Sequence, residues 1–181
     1  RQPWAYLWLA TPVSMPVNSM SPCVVDFKRT LAVAWCSYST VIQSRSWLPD
    51  GIGGVCWYAV DNPAQSPRIP IFCGSTKLPA AFEKCGQKEY YPNSVLWEFR
   101  RANKLATLSW QKTKKEFTDH VLEMEAMTFE GLPTLEAESS KATPRKRARL
   151  LNAYTAALHD TCAARWKQLA AKNWSLFRSG F

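Results

Sequence analysis

The chain has 181 residues, enough for one domain with a sizeable core and too few for two comfortable ones. Its hydrophobic fraction of 46% is that of an ordinary globular protein, and no apolar run reaches the ~18 residues of a membrane span. A formal charge of +9 bears on partners and solubility more than on fold.

The sequence opens on Arg1 rather than Met, so it is read as starting inside a longer reading frame. The apolar stretch Trp4 to Ala10 lacks the basic flank of a signal peptide. Residues 1–29 are read as an extended arm, because Pro12, Pro16 and Pro22 exclude a regular helix or a central strand. Residues 30–181 are read as the folded part.

Leu31 to Trp35, Tyr38 to Arg45 and Val55 to Val60 are rich in β-branched and aromatic residues. Pro49 to Gly54 lies before the last of them and is dense in turn residues, which predicts an antiparallel pair with Trp57 buried. Ile69 to Phe72 is a further short strand. Beyond Gly86 the pattern turns helical. Ser94 can cap a helix over Val95 to Gln111, and the apolar spacing runs on through Phe117, Val121 and Met124 until Gly131 and Pro133 stop it. Thr143-Pro144 opens a last helix over Arg145 to Lys172, with Leu150, Tyr154, Leu158, Cys162 and Trp166 on its buried face and Arg147 and Arg165 more exposed. Strands first and helices second is an α+β arrangement.

Six cysteines without a CxxC pair or a histidine cluster do not suit a metal, and they read as thiols in a reducing compartment, cytoplasm or organelle matrix. No cofactor motif is read. Cys56, between Val55 and Trp57, reads as a core thiol, and His159 with Asp160 as a surface or capping pair. Seven of the fourteen acidic residues fall between Glu116 and Glu138, and a basic run follows at Lys141, Arg145, Lys146, Arg147 and Arg149. That run is either a solvated first turn or a contact with RNA, anionic lipid or an acidic protein patch. No aromatic interleaves with it, which weighs against single-stranded nucleic acid.

The stretch from Ile52 to Pro70, reading Gly-Gly-Val-Cys-Trp, then Asp61-Asn-Pro63 and Ser66-Pro-Arg68, carries something more specific. With Gly74 and Leu78-Pro79 after it and Gln43-Ser-Arg45 before it, it resembles the dipeptidase family of N-terminal-nucleophile hydrolases that includes bacterial dipeptidase A and the secernins. Trp97, Phe99 and Asn103 are similar to that family's following helix. The resemblance covers Ser39 to Trp110 and implies half of an αββα sandwich, antiparallel strands followed by long helices. It further implies a cysteine amidohydrolase in which an N-terminal cysteine attacks the peptide carbonyl while its own α-amino group takes the proton. That nucleophile belongs to the family's N-terminal half, whereas this chain matches the C-terminal half. The expectation is therefore a portion inactive alone, joined by another chain that supplies the N-terminal half or covers the sheet. The alternative is a non-catalytic structural subunit of a large assembly. Cys23, the one thiol near the start, is followed by Val24-Val25-Asp26, which does not fit the nucleophile's surroundings.

The resemblance also places an arginine near the pocket at Arg45, where it would hold a substrate carboxylate; paired with Asp50 or Asp61 it would only brace the sheet edge. Asn103 is the second substrate-binding candidate, against a satisfied buried amide.

Overall fold

A computed structural model of the protein describes residues 32–177. The arm, with Cys23, lies outside them. Residues 32–35, from the stretch Leu31 to Trp35 read as β-rich, form bends and turns, with Cys36 N–H donating to Val33 O at 3.1 Å.

Strand β1 (Tyr38–Ser44) pairs antiparallel with β2 (Gly54–Val60), Val41 standing opposite Trp57. Their connection contains a single helical turn, α1 (Asp50–Gly53), closed by the amides of Ile52 and Gly53 on Pro49 O at 2.8 Å. Strand β3 (Ile69–Phe72) joins the other edge of β2, giving an antiparallel sheet in the order β1-β2-β3. Alternation along the strands turns Val55, Trp57 and Phe72 into the core beside Leu132, Leu135 and Leu151. Trp57 is buried as expected. The opposite face carries Ile42, Cys56 and Ile71, and Ile42 is 73% exposed. Cys56 is thus half-buried on the outer face rather than a core thiol, because a period of two sends it away from its packed neighbours.

Helix α2 (Val95–Leu108) starts at Ser94, whose hydroxyl accepts the Trp97 amide. It breaks at Ser109, short of Gln111, and Thr113 covers the joint by donating to Ala106 O at 3.1 Å and Ser109 O at 3.2 Å. Helix α3 (Trp110–Ser140) then runs through both expected stop residues. Pro133 has no amide hydrogen and leaves the Phe129 carbonyl without its helical donor, but Phe129 is on the exposed side, where water can serve. Leu132 and Leu135 on either side of the proline are buried, and their packing outweighs the local penalty. Gly131 is also used: a Cβ there would lie 3.0 Å from the Tyr154 hydroxyl, which donates to Thr128 O.

Helix α4 (Pro144–Trp174) has Thr143 as its cap and Pro144 in its first turn. Leu158, Cys162 and Trp166 are buried as expected; nearer the start the buried position is Leu151, with Leu150 and Tyr154 half-covered. Trp166 is the centre of the larger core, 5.5 Å from the Phe99 ring and 6.2 Å from Phe117. The fold is α+β, a three-stranded antiparallel sheet followed by long helices.

Candidate functional site

The loop that leaves β2 carries polar residues inward. Asp61 is fully buried and has φ of 61°, a left-handed conformation that a short polar side chain tolerates better than most. Its amide donates to Ser37 O at 2.8 Å. Its carboxylate accepts Arg100 Nε at 2.7 Å and Asn103 Nδ2 at 3.1 Å, both from α2. Asn103 Nδ2 also donates to Ser66 Oγ at 2.9 Å, while its oxygen accepts Trp166 Nε1 at 2.9 Å. Asn62 closes the loop locally, accepting the Ala64 amide and donating to Gln65 Oε1, each at 3.0 Å. Arg100 reaches on to Cys36 O at 3.2 Å, and Lys104 bonds Ala34 O, so α2 also clamps the segment that enters β1. Burial lowers the Lys104 pKa against the pull of Asp61.

The same loop ends in a different setting. Arg68 meets Glu125 of α3 at 3.2 Å and is about one-third exposed. The pair lines a groove of about 460 Å³ between the sheet and α3, with Val41, Gln43, Trp57, Thr128 and Phe129 as walls. Trp57 donates to Gln43 Oε1 at 3.0 Å, and its ring lies 5.2 Å from that of Phe129. One cation, one carboxylate and an amide on aromatic walls can hold a small molecule with both charges.

Arg45 and Asn103 are not brought together in this groove. Arg45 is 6% exposed and pairs with Glu136 of α3, donating also to Ile52 O at 2.8 Å and Gly53 O at 3.5 Å. Neither Asp50 nor Asp61 is its partner. Asn103 is the satisfied buried amide of the node. Arg68 and Glu125 were not singled out from sequence; Arg68 stands within the quoted Ser66-Pro-Arg68 motif, but Glu125 is 57 positions away and gives no local signal.

His159 corrects another expectation. It is buried, its Nε2 2.9 Å from Glu98 and its Nδ1 3.0 Å from Asp160, with the Phe82 ring 5.4 Å away. Burial works against its charge, but the two carboxylates prevail and raise its pKa. Burial pushes the Cys162 thiol up to about 12, and burial with Cys73 nearby raises Cys56. Among the described residues no three His, Cys, Asp or Glu gather as a metal-holding group, and no helix is long and apolar enough to cross a membrane.

The model of the family described as Peptidase family C69 matches residues 16–123, more than half of the chain. The match begins within the stretch read as an arm and ends inside α3. No curated protein gives a significant match. The chain belongs to Peptidase family C69.

Proposed function

From that membership we infer that the chain is the C-terminal, substrate-holding portion of a dipeptidase-type cysteine hydrolase, half of an αββα sandwich, and that it does not hydrolyse peptides unaided. The observation that carries the second clause is that the described thiols, Cys36, Cys56, Cys73, Cys85 and Cys162, all lie within the chain, so none carries the free α-amino group that would take its proton. Nucleophilic attack needs thiolate, and burial holds both Cys56 and Cys162 toward the protonated form. The groove supports the first clause. A dipeptide fits a space of about 460 Å³, with its carboxylate on Arg68 and its ammonium on Glu125. Arg45 and Asn103 then act as positioning residues, one holding the α1 turn to α3 and the other holding the Asp61–Arg68 loop to α2.

The test is turnover. The purified chain should leave a panel of dipeptides intact at neutral pH while binding them by calorimetry. If dipeptides are cleaved, serine substitution at each cysteine identifies the nucleophile. Loss of activity with Cys23→Ser alone, together with a new terminus at Cys23, would restore the chain as a self-contained enzyme.

A second reading, a structural subunit of a larger assembly in a reducing compartment, is favoured by one observation. Ile42 and the β1 edge are open to solvent, with Cys56 and Ile71 half-covered on the same face. Isolation of the native complex separates the two: a partner beginning with cysteine supports the hydrolase, and a set of unrelated subunits supports the structural role.

A further inference from the structure

Three separated segments meet at the end of the molecule opposite the Val60 end of the sheet. The Gly74 amide donates to Gly51 O at 2.8 Å, and a Cβ on Gly74 would stand 2.7 Å from that oxygen, so the α1 turn and the loop after β3 touch through backbone alone. Arg147 Cδ lies 3.4 Å from where a Cβ of Gly51 would be. Asn152 accepts the amides of Thr76 at 3.0 Å and Lys77 at 3.3 Å, fastening that loop to the first turns of α4.

The basic residues gathered here have two different roles. Arg147 turns inward and donates to Ser139 O at 2.9 Å and Ala142 O at 3.3 Å, capping the carbonyl end of α3. Arg145, Lys146 and Arg149 are exposed and form no ion pair with any described residue. Arg145 and Lys146 also occupy the first turn of α4, which holds no acidic residue, so the helix dipole opposes them. Exposed Lys77 adds a fourth positive charge from the loop. Asp50 is the one acidic residue in the segments 46–53, 74–77 and 141–152. Trp47, in the turn that leads into α1, is 75% exposed, so the fold brings to this end the aromatic that the basic run lacks in sequence. The run itself lies beyond the residues 16–123 that the family accounts for.

We propose that this surface binds single-stranded nucleic acid, with phosphates on Lys77, Arg145, Lys146 and Arg149 and an unpaired base stacked on Trp47. Cations placed against their own helix dipole gain from an anionic partner. A bare indole at the same end of the molecule suits a base face, which any nucleotide offers. An acidic peptide would use the charges and leave the ring idle, and a membrane anchor would call for several exposed apolar side chains, where Trp47 stands between exposed Ser46 and half-covered Leu48.

The experiment is fluorescence anisotropy of a labelled oligouridylate with the full chain across a salt series. Four neutralised phosphates give a log–log slope of about −3 on a single strand. The variant R145E/K146E/R149E should lose binding at least about tenfold and flatten the slope by about 2. Trp47→Ala should weaken binding about tenfold at an unchanged slope. All four positions are exposed, and circular dichroism of each variant should match the parent. The proposal is overturned if no binding occurs at low salt, or if Trp47→Ala binds as the parent does while polyglutamate competes equally. It is overturned too if phosphatidylserine vesicles bind more tightly than the oligonucleotide.

Discussion

Two polar clusters flank the loop from Asp61 to Arg68, and they treat solvent in opposite ways. At its start Asp61, Ser66, Arg100, Asn103 and Trp166 satisfy one another, and the Asp61 carboxylate has no contact with water. At its end Arg68 and Glu125 pair across a groove and keep access to whatever enters. A closed network fixes geometry, because each member removed leaves another unsatisfied in a low dielectric. An open pair contributes little to stability and is free to exchange its partner for a ligand. The difference assigns scaffolding to the first cluster and recognition to the second.

The strongest way to break that division is at Arg100. Arg100→Ala leaves a buried carboxylate without its cation and should cost about 3–5 kcal/mol in urea unfolding. A cost near zero would mean that water already reaches Asp61. Asn103→Ala should cost less, about 1–3 kcal/mol, since Asp61 keeps Arg100 while Ser66 and the Trp166 indole lose a partner.

His159 bears on the same division from α4. Its folded pKa lies above the ordinary 6.5 because Glu98 and Asp160 overcome burial. The imidazolium therefore stabilises the fold fully below the unfolded value, and that contribution fades as pH rises through the folded one. Unfolding midpoints taken from mildly acidic to mildly alkaline pH should decline on the alkaline side. His159→Gln should flatten the decline; an equal decline in the variant would place its origin elsewhere.

What could be read in advance follows the range of the interactions. The β1–β2 pair was legible because β-branched residues flank a Gly, Pro and Asp turn, and α4 because Thr143-Pro144 announces its start. The end assigned to α3 failed at Gly131 and Pro133, where contacts with Leu151 and Tyr154 from another helix outweigh local propensity. The node was half legible: Asn103 could be read as a satisfied amide, but its acceptor Asp61 is 42 positions away. Arg45 shows the same limit, since its carboxylate is Glu136, 91 positions on, rather than a neighbour in the hairpin.

The smallest expected effect on stability is the most informative about function. Arg68→Ala removes a partly exposed ion pair and should change unfolding by only about 0.2–1 kcal/mol. If the groove seats a dipeptide, the same substitution should weaken dipeptide binding, because the substrate carboxylate loses its guanidinium. Arg68→Lys should then recover part of the affinity: an ammonium keeps the charge and gives up the two-pronged geometry. A further control, Glu125→Gln, frees Arg68 from its internal partner, so carboxylate binding should hold while preference for a free α-amine falls. Unchanged affinity in Arg68→Ala, in a protein of unchanged stability, would remove the groove as the substrate seat. Recognition would then have to lie elsewhere, and the closed node would be scaffold for a site other than this one.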